Sequence, residues 1–584
     1  MVTPNEAAEV DVPETFATSG ESDPPADGGG DRAGDIDSDQ PRRRRFRYTL
    51  QGCWVALVFV CLAFTPSLVP RPGAFQGVVC GLTGAIGYGL GVAAAWLWRQ
   101  FADRPARRPE TLAWRIFGIV AVVGLLTFYL LGQRWQGQIR ALVGAEPDDL
   151  GSRLILPVVA AAVFVGLIAA GRGVRKVYRW AARRLNRWLG ARAARALGWV
   201  LAAVLTVGLF SGVLVDGILA ITDRAFAVKD TTTSDTVAQP TTPLRSGGPG
   251  SLIGWDTLGY QGRNFAGSGP TAEQISTFTG TAALEPIRAY AGINSAGTAQ
   301  ERAALAVADM QRAGGFDRSY LLVTGTTGTG WVDPAAMSAF EYETGGDSAA
   351  VAIQYSYLPS WPSFLVDQDK AREAGRALFD EVYRVWSAMP VDQRPKIYAF
   401  GLSLGSFMIE TPFGGDVDMA NRTDGILLAG PPAFNELNRE FTDKRDPGSP
   451  EVQPVYQGGR IVRFSNNPAD PIQPVDQRWD GARVLYLQHA SDPIVWLSPD
   501  LILHRPDWLT EPPGPDVIDQ MAWIPLVTFW QVTMDMLEPV DTPPGHGHTY
   551  TLEFVDGWAE ILQPPGWTPQ LADELRTLIA EQPH

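Results

Sequence analysis

Residues 396–410 read KIYAFGLSLGSFMIE. Positions 396–400 are apolar and β-rich and predict a strand, and 406–410 can open a helix. Between them, Gly401-Leu402-Ser403-Leu404-Gly405 has the spacing of a nucleophile elbow. That turn is so tight that side chains at the two glycine positions would clash, while the serine oxygen is lifted clear at the strand's end. With 61 glycines in 584 residues and serine at average usage, chance supplies about 0.4 such matches, so the surroundings of the motif have to decide.

Working outward, further short β-rich runs at 319–323, 349–354, 425–428, 460–464 and 483–487 alternate with helical patterns. The clearest of these, 370–389, spaces Ala371, Ala374, Leu378, Val382 and Val385 along one helical face. Strand and helix in alternation predict an α/β domain over residues 251–584, a mainly parallel sheet with helices on both faces. Ligands bind such sheets beyond the carboxyl ends of the strands, which is where Ser403 falls.

Chains that use this elbow place an acid and then a histidine downstream of the serine. The run 483–487 leads into Gln488-His489-Ala490-Ser491-Asp492-Pro493, so Asp492 stands just past a strand end. Asp470, in Pro468-Ala469-Asp470-Pro471, is a rival acid after another predicted strand, and either could be a plain turn former before proline. The chain has five histidines, and two of them share the turn Gly545-His546-Gly547-His548. We take Ser403, Asp492 and His548 as the catalytic set, with His546 and Asp470 as alternates and His489 as structural. Upstream, Thr324-Gly325-Thr326-Thr327-Gly328-Thr329-Gly330-Trp331 follows the run 319–323. A loop of this composition exposes backbone N–H groups, and Thr326 or Thr327 could join Leu404 in an oxyanion hole. An ordinary turn or a phosphate cradle are the other readings; the latter lacks the lysine of a P-loop and the acidic partner of a dinucleotide fingerprint.

The N-terminal half is a different kind of chain. Residues 1–47 form an acidic, Pro- and Gly-rich tail, expected to be disordered, ending in Arg42, Arg43, Arg44, Arg45 and Arg47. Five apolar runs follow at 50–69, 74–98, 116–132, 154–171 and 197–222, each near the ~20 residues a helix needs to cross hydrocarbon. Four arginines between the second and third runs, and nine basic residues between the fourth and fifth, put those loops and the N-terminus inside and everything after 222 outside. The ionisable side chain within the runs is Asp216, which argues for an interfacial residue and against an ion pathway. Gly77 and Gly81, or Gly87 and Gly91, have the four-residue spacing that lets membrane helices approach closely. Residues 223–250 are expected to be a linker to the extracytoplasmic domain.

The net charge of −15 averages these parts, and residues 251–584 carry roughly −20. That disfavours phosphate-backbone binding, which relies on Lys and Arg, so no nucleic-acid partner is expected. Cys53, Cys61 and Cys80 all lie in apolar runs, which excludes thiol chemistry and a cysteine metal site.

In both halves the sequence resembles an α/β-hydrolase family of high-GC bacteria in which a multi-span membrane region precedes an extracytoplasmic hydrolase domain. The resemblance covers roughly residues 50–570 and rests on Gly328-Thr329-Gly330-Trp331-Val332-Asp333-Pro334, Gln354-Tyr355-Ser356-Tyr357-Leu358-Pro359-Ser360-Trp361, Ser403-Leu404-Gly405-Ser406 and Gly545-His546-Gly547-His548. Members commonly carry Glu before the serine, where this chain has Leu402. The resemblance implies a serine hydrolase of the bacterial plasma membrane.

The residues therefore point to acyl transfer at an ester, needing neither cofactor nor metal, with the lipid bilayer and a small-molecule or lipid ester as partners. Residues 521–530, MAWIPLVTFW, read as a core helix or, more sharply, as an acyl-chain wall carrying Trp523 and Trp530. The rival class is a catalytically inactive hydrolase-fold module that binds or scaffolds in the cell envelope. A transporter is a weaker reading, because the spans are almost free of charge.

Overall fold

The structure, a computed structural model, describes residues 48–102, 109–185, 226–470, 472–537 and 542–581. The acidic tail, its arginine cluster and the fifth apolar run with Asp216 lie outside the described residues. The first four runs form α1 (Leu50–Ala63), α2 (Gly73–Phe101), α3 (Thr111–Leu142) and α4 (Leu150–Leu185). Among the described residues, α2, α3 and α4 are long and apolar enough to cross a membrane. The first run is not one continuous helix: α1 stops after 14 residues. Pro66, Pro70 and Pro72 cannot continue a helix, so 64–72 becomes a hairpin tip between α1 and α2.

The glycines of α2 pack as their spacing predicts. A Cβ on Gly77 or Gly81 would lie 2.7 Å from the Leu156 or Ala160 carbonyl of α4. On Gly87 or Gly91 it would meet the Val55 or Gln51 carbonyl of α1, at 2.9 and 2.8 Å. One helix thus presents two small-residue faces to two neighbours.

The C-terminal domain is built on β1 (Ile287–Ala291), β2 (Tyr320–Thr324), β3 (Ser348–Ile353), β4 (Lys396–Leu402), β5 (Gly425–Ala429), β6 (Val462–Ser465) and β7 (Arg483–Leu487). They form one sheet in the order β1-β3-β2-β4-β5-β7-β6, parallel throughout. Helices α5 (Ala299–Arg312), α6 (Pro334–Glu343), α7 (Gln368–Ser387), α8 (Leu404–Glu410), α9 (Pro493–Trp496), α10 (Val527–Asp535) and α11 (Glu553–Leu562) follow in chain order. Helix α7 packs on α5 and α8, while α6 packs on α11, which gives the sheet a helical layer on each face. Strands covered on both sides must be apolar on both sides, and β1, β3 and β5 are buried at every position.

Strand β1 is absent from the sequence reading because Arg288 interrupts its apolar pattern. That guanidinium is buried in a two-point pair with Glu341, both contacts at 2.7 Å. The segment read as a linker is also more than a tether. Arg245 bridges in parallel to Arg288, and Ser246 Oγ donates to Asp309 at 2.6 Å, so residues 245–246 lie along the edge of β1.

The stretch 521–530 corrects another expectation. Its helical part, α10, begins at Val527 and packs on α1 and α2. Asp535 at its end forms a fully buried ion pair with Arg71 of the hairpin tip at 2.8 Å. The domain and the N-terminal helices thereby share a packed seam.

Candidate active site

Ser403 stands between β4 and α8 with φ 56° and ψ −125°, a positive-φ conformation that a non-glycine residue adopts only where its surroundings impose it. The imposition is visible in its neighbours. A Cβ on Gly401 would collide with the Gly405 carbonyl, and one on Gly405 would lie 2.6 Å from the Gly325 carbonyl. Backbone bonds complete the turn: Ser403 N–H donates to Ala429 O at 2.9 Å, and Ser406 donates to Ser403 O through N–H at 2.9 Å and Oγ at 2.6 Å. Beneath it, Glu410 at the end of α8 accepts from Tyr486 Oη at 2.7 Å, from Asn435 Nδ2 at 3.2 Å and from the N–H groups of Leu437 and Asn438. Burial pushes this carboxyl up to about 7 in spite of those four donors.

Past the end of β7, Asp492 caps α9 and is completely buried. Its Oδ1 accepts from Ile494 N–H at 2.8 Å, and its Oδ2 accepts from Tyr550 Oη at 2.9 Å and pairs with His548 Nδ1 at 2.7 Å. The imidazole of His548 lies against Gly430, where a Cβ would come 2.5 Å from its Cε1. Gly430 follows the Ala429 carbonyl that holds Ser403 N–H, so the ring sits at the strand end next to the serine. Among the described residues, Ser403 Oγ makes no hydrogen bond to either imidazole of the turn, and His548 Nε2 has no protein partner. Asp492 and His548 are therefore joined, and Ser403 is adjacent but unbonded to them.

The loop carrying His548 is clamped at Gly547. Ser491 Oγ accepts from Gly547 N–H at 2.8 Å, while His489 Nδ1 donates to Gly547 O at 2.9 Å. The ring of Tyr550 stacks on His489 at 4.1 Å. Burial alone would lower the His489 pKa, but the Glu553 carboxylate, 3.4 Å from its Nε2, together with Asp516 and the Gly547 carbonyl, more than offsets this and holds it above the usual histidine value.

The two alternates are placed elsewhere. His546 is 28% exposed and faces Asp516 at 3.4 Å. Asp470 is exposed beyond the edge strand β6 and accepts from Asn467 Nδ2 at 3.3 Å. Of the oxyanion residues, Leu404 opens α8 with its N–H free of backbone acceptors among the described residues. Thr326 N–H faces Met408 Sδ at 3.4 Å, a weak acceptor, and Thr327 N–H closes its own loop onto Trp331 O at 3.0 Å. Phe364, Leu404, Ile494 and Met536 pack into one apolar cluster, joined by Phe434 and Leu497.

Sequence reasoning missed Ser491, Tyr550, Asp516 and Glu553. The first two stood one residue before Asp492 and two after His548, and a hydroxyl so close to each was the available signal. Family comparison matches residues 287–575 to the alpha/beta-hydrolase family and residues 64–270 to the alpha/beta-hydrolase family N-terminus. No curated protein and no solved structure matches. The first match covers the sheet with its elbow, the second begins at the hairpin tip and covers α2, α3 and α4, and on both halves the chain belongs to the alpha/beta-hydrolase family.

Proposed function

We propose that this hydrolase cleaves esters by serine-centred acyl transfer, with Ser403 as nucleophile, His548 as general base and acid, and Asp492 as the residue that orients the imidazole. The observation carrying this reading is the 2.7 Å contact between His548 Nδ1 and a buried Asp492 one strand away from a strained serine. With Nδ1–H held by the carboxylate, Nε2 bears the lone pair that can accept the serine proton.

Substrate binding brings Nε2 and Oγ within hydrogen-bonding distance, as such bonds commonly tighten on forming the complex. Ser403 Oγ then adds to the carbonyl carbon as its proton passes to His548 Nε2. The resulting oxyanion takes the Leu404 N–H and the Thr326 N–H, which leaves the weak Met408 Sδ acceptor to do so, each worth about 10²- to 10³-fold in rate. Collapse expels the alcohol, which takes the proton from His548, and water or a second alcohol repeats the sequence on the acyl-enzyme. The arginine-rich loops favour an inside N-terminus, with the hydrolase domain on the outer side of a bacterial plasma membrane.

The test uses the full chain in detergent. A fluorophosphonate probe should label the wild type and fail to label Ser403→Ala, and ester cleavage should fall by about 10⁴-fold or more. Unchanged labelling of Ser403→Ala overturns the reading by placing the nucleophile on another side chain, and a folded wild type that is neither labelled nor able to cleave esters overturns it in favour of an inactive binding module.

A further inference from the structure

The N-terminal helices do more than hold the domain at a membrane. The hairpin tip inserts into it: Leu68 and Val69, both fully buried, share a core with Val495, Trp496, Trp508 and Val532. Asp535 gathers the tip by accepting from Ser67 Oγ, from Leu68 N–H at 3.1 Å and from Arg71 at 2.8 Å. One turn earlier, Gln531 Nε2 donates to Thr65 O at 2.9 Å. Both elements gripped this way border the serine. Helix α9 is capped by Asp492, and its Ile494 packs beside Leu404, whereas Val495 and Trp496 pack on the tip. Around the end of α10, Met534 joins Ala63, Phe64, Val79, Cys80 and Leu156 of the membrane helices, and Met536 joins Leu404, Phe364 and Ile494. Leu497 packs on both the tip's core and the Leu404 cluster, so apolar contact runs from the tip to the residue after the nucleophile.

Resting on the serine-hydrolase reading, we propose that the hairpin tip completes the acyl-binding site and that the substrate is a long-chain acyl ester drawn from the bilayer. Arg71 and Asp535 are positioning residues: they touch no reacting atom, and they hold α10 so that Met536 forms the acyl-side wall above Leu404. An ester whose chain is too short to reach that wall is indifferent to its placement, and one that lies along it is not.

The experiment measures kcat and KM of the full chain in nanodiscs for p-nitrophenyl butyrate and p-nitrophenyl palmitate. Arg71→Met and Asp535→Asn should each lower the palmitate-to-butyrate ratio of kcat/KM by about tenfold, mainly through the palmitate KM. Arg71→Lys should restore most of it. Arg288→Met breaks a buried ion pair of the same kind away from the site; it should lower the melting temperature and leave the ratio alone. If Arg71→Met does not fold, Met534→Ala carries the same expectation. A ratio unchanged in Arg71→Met, or in Met534→Ala where that variant stands in for it, overturns the proposal, as does an equal change in Arg288→Met. A folded wild type that cleaves neither ester overturns the serine-hydrolase reading instead.

Discussion

Ser403 and His548 stand at neighbouring strand ends, yet they are held by opposite means. The serine is fixed by backbone: a positive φ, an N–H on Ala429 O, and two glycines whose missing side chains leave room for the turn. The histidine is fixed by side chains: Asp492 on its Nδ1, and Ser491 and His489 on the preceding residue. Backbone geometry resists every substitution except those at the glycines, whereas a side-chain network fails one residue at a time. The two halves should therefore break differently, the serine side in folding and the histidine side in rate.

The largest effect is expected on the histidine side. Asp492→Asn keeps the shape of the acid but favours the wrong imidazole tautomer, and kcat should fall by about 10⁴-fold. The neighbouring pair supplies the control. His546 and Asp516 are 3.4 Å apart with the imidazole 28% exposed, against 2.7 Å and near-complete burial for His548 and Asp492. His546→Gln, which leaves the Asp516 bonds to Ser491 in place, should cost less than about tenfold. Steady-state kinetics on one ester compares the two, and equal losses would move the base from His548 to His546.

On the serine side the expected loss is in stability. In Gly405→Ala the new Cβ lies 2.6 Å from Gly325 O, a backbone atom that cannot swing away. We expect about 2–4 kcal/mol of destabilisation in urea unfolding. A variant as stable as wild type would mean that the elbow relaxes, and the claim of a backbone-fixed serine would fail with it.

The same division explains what could be read from the sequence. Gly401, Ser403 and Gly405 were legible because a backbone demand leaves its mark in residue type, and the joined pair Asp492 and His548 because an acid past a strand end and a later histidine stood in the order expected after such an elbow. Six of the seven strands showed as apolar runs. Strand β1 did not, since Arg288 counts as polar until its pairing with Glu341 is seen. The hairpin tip was misread for the converse reason: hydropathy counted Leu68 and Val69 as membrane-facing, although Pro66, Pro70 and Pro72 already forbade a helix there. Arg71 and Asp535 lie 464 positions apart, a separation over which no local pattern operates.

The smallest effect concerns the clamp on the histidine loop and its dependence on pH. Against burial, His489 is held above the usual histidine value by Glu553, Asp516 and the Gly547 carbonyl, and Glu553 below the usual glutamate value by His489 and the backbone N–H groups of Thr551 and Glu553. The contribution of His489 is complete below the ordinary histidine value, about 6.5, and is lost as pH rises through its raised value. That of Glu553 is complete above the ordinary glutamate value, about 4.3, and is lost as pH falls through its lowered one. The charged pair is therefore strongest in mildly acidic solution. Glu553→Gln should show its greatest loss of urea stability there, and the gap to wild type should narrow above neutrality. Glu410, with its pKa pushed up to about 7, titrates in both proteins and cancels in the difference. A gap independent of pH would mean that His489 stays neutral, leaving Gly547 held by the Nδ1–H and Ser491 contacts alone.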